Sequence, residues 1–118
     1  MEIAQLVAQQ GQLVNRNLRV KSLPCIACEL LGIHMQPFPT ESHHLNLGGR
    51  AGQKRRGNDF TIPLCGWHHR GLVSRHVDSN VMAALYGPSL AKQSKAFRTR
   101  LGTDDQLLAL TNDRLEVA

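Results

Sequence analysis

Residues 61–71 read Thr-Ile-Pro-Leu-Cys-Gly-Trp-His-His-Arg-Gly, and the centre of this stretch, Cys65-x2-His68, repeats a spacing already present at Cys25-x2-Cys28. Such a turn lets two donors converge on one ion, with Zn–S bonds near ~2.3 Å, and two turns together complete a tetrahedral Cys3His shell. Cys25, Cys28, Cys65 and His68 are therefore the expected ligands of a structural Zn2+, with His34 as the competing fourth ligand. An ion held this way joins segments that a small core cannot hold by itself. Three cysteines, an odd number, argue against a closed disulfide framework. Beside six histidines they point to an intracellular metal protein.

The composition explains why such a crosslink is needed. A chain of 118 residues makes one domain. Aromatic residues are only 4% of it, so the core lacks large rings and needs a second source of stability. Trp67, between Cys65 and His68, is expected to be a core ring that shields the zinc. No apolar run is long enough for a membrane span, and the first ten residues carry Glu2 without a basic segment, unlike a secretory signal. The expected location is the cytoplasm, with no membrane partner. The formal charge of +5 favours a polyanionic partner, nucleic acid before anionic lipid. Its distribution sharpens this: residues 48–75 hold Arg50, Lys54, Arg55, Arg56, Arg70 and Arg75 against one acid, Asp59.

Periodicity gives an α+β organisation. Residues 2–19 follow helical spacing, within an N-terminal helical arm over 1–22. A compact unit rich in Gly, His and Cys begins at Leu23 and opens the domain 23–118. Its strand-like runs, His43–Leu47 and Phe60–Leu64, flank a long basic loop. Three helices follow. Asp78 or Ser79 caps Asn80–Leu85, Ser94 caps a second helix that ends at Leu101-Gly102, and Thr103 with Gln106 forms a capping box for the third. They are expected to cover the Cys/His unit.

Three further histidines gather around this unit: His43, His44 and His69. Adjacent residues point apart, by about 100° on a helix and 180° on a strand. If His68 faces the zinc, His69 faces something else. The same rule splits His43 from His44, so both reach one site only near a strand end.

The succession Cys25-x2-Cys28, Glu41-Ser42-His43-His44-Leu45, a Gly-rich basic loop, Asn58-Asp59 and Pro63-Leu64-Cys65-x2-His68-His69 resembles the zinc-supported HNH, or ββα-metal, endonucleases. More closely, LPCIACELLGIH, ESHHLNLGG, DFTIPLCGWHHRG and YGPSLAKQSKAFRTRLGTDDQLLALTN resemble phage recombination-enhancement nucleases, whose activity depends on RecA filaments. The resemblance covers about residues 23–115. It implies a hairpin and a helix around one catalytic divalent ion, Mg2+ or Mn2+ or else Zn2+. It further implies that His43 and His69 hold the ion and that His44 deprotonates the attacking water. Asp59 takes the middle position, usually Asn, with Asn58 as the alternative, and His76 is a further candidate ligand. DNA and the RecA filament are the implied partners, in a bacterial cell and from a phage or prophage gene.

The chemistry suits these residue types. Neutral imidazole is a competent base near neutral pH, and a divalent ion stabilises charge on the phosphate and the leaving oxygen. Arg70 is expected to brace the phosphate through a bidentate contact. Arg50, Lys54, Arg55 and Arg56 are expected to track the DNA backbone, and nothing here reads bases. The competing functions are a non-catalytic zinc-stabilised DNA-binding module and a RecA-filament adaptor with a decayed site. The His43, His44 and His69 set discriminates, because a mere binder has no need of all three.

Overall fold

A computed structural model describes residues 16–46, 57 and 59–117. Residues 2–15 of the helical stretch expected over 2–19, the basic-loop residues Arg50, Lys54, Arg55 and Arg56, and Asn58 lie outside the described residues. The fold is α+β: six described helices surround one two-stranded antiparallel sheet. In chain order they are α1 (Arg16–Lys21), α2 (Ile26–Leu30), β1 (Thr40–His44), β2 (Thr61–Cys65), α3 (Gly66–Arg70), α4 (Ser79–Tyr86), α5 (Ser94–Leu101) and α6 (Asp104–Val117). Among the described residues no helix is long and apolar enough to cross a membrane.

The hairpin carries the core. Its register pairs Thr40 with Cys65, His43 with Ile62 and His44 with Thr61. Leu45 N donates to Phe60 O at 2.9 Å, so the hydrogen-bonded positions of the ladder continue at His43–Ile62 and Glu41–Leu64. Pro63 then falls at a position whose missing N–H would have pointed away from β1, which is how a proline fits here. All five residues of β2 are buried, whereas β1 is half-buried throughout. β1 starts at Thr40, three residues before the strand expected from apolar alternation. Thr40, Glu41 and Ser42 give no apolar signal, because they meet polar partners: Gln36 Nε2 donates to Thr40 Oγ1 and Ser42 Oγ donates to Asn17 Oδ1.

β2 passes directly into α3, with Cys65 as both the last strand residue and the N-cap. Gly66 permits this change of direction: a Cβ there would lie 2.8 Å from Leu72 Cδ2 and 3.3 Å from Phe38 Cβ. Gly71, at φ +71°, ends α3 in the left-handed conformation. Trp67 is fully buried in the core with Ile26, Leu45, Leu64, Phe97 and Leu107, and its Nε1 donates to Gly87 O at 3.0 Å.

The later helices have the caps their sequences suggest, with one exception. Asp78 Oδ1 accepts from Val81 N at 3.0 Å and starts α4. Thr103 and Gln106 form a reciprocal capping box, Thr103 N to Gln106 Oε1 at 2.9 Å and Gln106 N to Thr103 Oγ1 at 3.2 Å. Ser94 is instead the first residue of α5, and Gln93 occupies the cap position. Long polar side chains tie α1 to the hairpin and to α6, and α6 to α2. Arg16 donates to Thr61 Oγ1, Thr61 O and Asn112 Oδ1, and Arg114 pairs with Glu29.

Candidate functional site

Cys25, Cys28, Cys65 and His68 form a cluster whose donor atoms all lie within 4.8 Å of one another, the single such group among the described residues. His68 Nδ1 lies 3.5 Å from the Cys25 and Cys28 sulfurs and 3.3 Å from that of Cys65. Tetrahedral bonds of zinc length require S···N separations of about 3.5 Å, so the donors already stand where an ion would hold them. The first pair owes its geometry to a turn in which Cys28 N donates to Cys25 Sγ at 3.4 Å. The second pair is set by the β2–α3 junction. His68 Nε2 donates to Tyr86 O at 2.7 Å, which orients the ring with Nδ1 toward the sulfurs, where its lone pair would meet a bound ion. All four residues are buried, and the set can hold a structural metal such as zinc. The fourth donor is His68; His34 is exposed.

The electrostatics of the cluster are those of a cation site. Hydrogen bonding with Cys25 and Cys65, together with burial, drives the Cys28 thiol upward. Hydrogen bonding with Cys25 and Cys28 drives Cys65 down against the opposing effect of burial. Burial alone would lower His68, but the sulfurs of Cys25 and Cys65 outweigh it and push its pKa up to about 10. Negative sulfur packed in the core calls for positive charge, which a divalent ion supplies.

His69, one residue further along α3, faces a different set of groups. Its ring centroid is 4.8 Å from that of His43, at an interplanar angle of 60°. Its Nδ1 donates to Glu41 Oε1 at 2.8 Å. Strand alternation explains the meeting, since Glu41 and His43 are two residues apart on β1 and share one face. Arg70 grips the same carboxylate, with Nε 3.1 Å from both oxygens and a second nitrogen 3.0 Å from Oε2. Burial would raise the Glu41 pKa, but the bonds from Arg70 and His69 prevail and hold it below the usual carboxylate value. His43, His69 and Arg70 line a cavity of about 250 Å³.

Glu41 is the residue for which sequence reading found no role. Its signal was available: it stands two positions before His43, on the same strand face. With His69 Nδ1–H given to a carboxylate, Nε2 is presented as a lone-pair donor, the arrangement that orients a metal-binding imidazole. His43 and His69 are brought together as expected, but two other expected partners do not line their cavity. His44 alternates to the other sheet face, with Ser42, whose hydroxyl meets α1. Asp59 lines a separate groove with Arg16 and Arg19, and its charge acts on Arg16. Arg70, expected to brace a phosphate, is engaged with Glu41. His76 is exposed in a turn beyond the end of α3, at φ +69°, so it does not stack above His69 on one helix.

A family model described as recombination enhancement, RecA-dependent nuclease matches residues 8–116. No curated protein and no solved structure matches the chain. The family match spans both halves of the Cys3His cluster, the hairpin with His43 and His44, the His69 helix and the helices that follow. The chain belongs to the family of recombination-enhancement, RecA-dependent nucleases.

Proposed function

We propose that this protein is an HNH-type, divalent-metal-dependent endonuclease that hydrolyses DNA phosphodiester bonds during recombination, on DNA presented by RecA filaments. The observation that carries the reading is the convergence of His43 and His69, with Glu41 behind His69, beside a cluster suited to structural zinc. The order β1, β2, α3 is the hairpin-then-helix order of a ββα-metal core. In this reading His43 and His69 hold the catalytic ion, Mg2+ or Mn2+, and Glu41 fixes the His69 ring. The ion supplies charge stabilisation on the phosphate and the leaving oxygen. The base in this reading is His44, the last residue of β1, which has to reach the attacking water from the opposite sheet face. Arg50, Lys54, Arg55 and Arg56 supply phosphate contacts along the backbone.

The placement of His44 and Asp59 away from the His43–His69 cavity favours a second reading, a zinc-stabilised DNA-binding or RecA-filament adaptor module without cleavage. A nuclease assay separates the two. It uses single- and double-stranded DNA, with and without RecA and ATP, in Mg2+, Mn2+ or EDTA. Metal-dependent cutting that His43→Ala removes supports the endonuclease. DNA or filament binding without cutting in any metal supports the adaptor.

A further inference from the structure

The His43–His69 cavity has a wall that the hairpin and α3 do not supply. Ser94 and Arg98 of α5 and Asp104 of α6 line it together with His43, His69 and Arg70. This wall is fixed relative to the histidines. Leu90 N donates to His68 O at 2.8 Å, which ties the segment before α5 to α3. In the same turn Ser89 N donates to Gln93 Oε1 at 2.9 Å, and Lys92 N donates to the buried Ser89 hydroxyl at 3.1 Å. Ser94 and Arg98 are four residues apart on α5 and so share a face.

Two arginines therefore reach one cavity, and they are held differently. Arg70 is gripped by Glu41 through contacts of 3.0–3.1 Å. Arg98 meets Asp104 at 3.5 Å, longer than the ~2.7–2.9 Å of a strong charged hydrogen bond. The Arg98 side chain is 32% exposed and that of Asp104 15%, so this pair is only partly screened by water. Asp104 stands in the first turn of α6, where the helix dipole stabilises a carboxylate whether or not Arg98 is beside it. The cavity, about 250 Å³, is smaller than the ~300–1,000 Å³ of an ordinary small-molecule pocket, a size suited to a short stretch of sugar–phosphate backbone.

We propose that Arg98, rather than Arg70, is the phosphate clamp of this site, its guanidinium leaving Asp104 for a phosphate of the DNA strand that enters the cavity. The ligand's identity rests on the nuclease reading above. Binding exchanges one long contact for a bidentate one, while Glu41 keeps Arg70 beside His69. Asp104 is the resting partner that keeps the partly buried cation paired when no DNA is present.

The test is binding of a fluorescent single-stranded oligonucleotide in EDTA across a salt series, with zinc content and thermal stability measured for each variant. Arg98→Ala is expected to weaken binding about tenfold and to reduce the log–log salt slope by ~1. Arg70→Ala is expected to leave the slope unchanged. Asp104→Asn is expected to tighten binding more than Asp113→Asn, which makes the same charge change elsewhere on α6. Arg98→Lys keeps the charge without the fork and is expected to keep the slope at intermediate affinity; this variant also serves if Arg98→Ala does not fold. A wild-type slope in Arg98→Ala, wild-type affinity in Arg98→Lys, or Arg98→Ala and Asp104→Asn shifting affinity in the same direction overturns the clamp. If these shifts appear but no divalent ion supports cleavage, the endonuclease reading fails and the clamp stands. If the wild type cleaves and Arg98→Ala binds as tightly as wild type, the clamp fails and the endonuclease stands.

Discussion

His68 and His69 are neighbours on one helix, yet they belong to opposite kinds of site. His68 is fully buried, aims Nδ1 at three sulfurs and gives its other nitrogen's proton to a backbone carbonyl. His69 is half-exposed, lies tilted beside His43 and gives its Nδ1 proton to the Glu41 carboxylate at the edge of a cavity. The turn of about 100° between adjacent helical residues is enough to send one ring into the core and the other toward the cavity. Closed sites with four protein donors are structural, and open ones leave positions for water and substrate. Five residues of α3 thus carry one ring of the buried cluster and one ring of the proposed open site.

The largest effect is expected from breaking the buried site. Structural zinc contributes about 10–16 kcal/mol in small domains at neutral pH, comparable with the ~5–15 kcal/mol total stability of a domain. Cys25→Ser should therefore lose both the metal and the helical circular dichroism. A folded, zinc-free Cys25→Ser protein with a wild-type melting curve would show that packing alone holds the hairpin.

Next come the histidines of the open site. His43→Ala and His69→Ala should reduce cleavage by about 10³-fold, since a bound ion contributes several kcal/mol of transition-state stabilisation. Part of that loss should return at high Mn2+ or Mg2+. His44→Ala should lose about 10²–10⁴-fold, the contribution of a positioned base, with no recovery at high metal. A metal titration of cleavage compares the three, with zinc content measured in parallel. Rescue of His44→Ala but not of His43→Ala reverses the roles within the doublet. Wild-type cleavage by His44→Ala removes it from the chemistry, in keeping with its place on the other sheet face.

A smaller effect is expected behind the ligand. Glu41→Gln keeps an acceptor for His69 but loses the charge, and should weaken metal affinity or activity by about 10–100-fold. Zinc content should not change, because Glu41 does not touch the buried cluster. If Glu41→Gln cuts and binds metal as wild type does, the carboxylate serves only Arg70.

The difference in legibility between the two sites has a physical cause. The buried cluster is local at both ends: each pair spans a four-residue turn, so Cys25-x2-Cys28 and Cys65-x2-His68 are readable from spacing alone. The capping box at Thr103 and Gln106 is local in the same way. The open site depends on tertiary placement. Glu41 acquires its role only because β1 begins at Thr40, and its polar start carries no alternation to read. Arg70 is charged and adjacent to His69, which suggests a phosphate ligand, but nothing local says that a carboxylate 29 positions earlier already holds it. Asp59 precedes β2 at the expected offset, yet the chain delivers it to the groove beside Arg16.

The smallest effect lies away from both sites. Thr103→Ala removes one half of the capping box and should cost ~1 kcal/mol in a denaturant melt, leaving zinc content and cleavage unchanged. A loss of cleavage in that variant would mean that α6 does more than cover the core.

The proposed separation of a structural zinc from a catalytic ion is tested most directly by brief dialysis of the wild-type protein against EDTA, with zinc per chain and cleavage of RecA-coated DNA measured on the same sample. The expected result is one zinc retained per chain, cleavage abolished, and cleavage restored by adding Mg2+ or Mn2+ alone. Cleavage that persists with no added divalent ion, or that disappears only as the zinc leaves, contradicts a second, exchangeable ion held by His43 and His69.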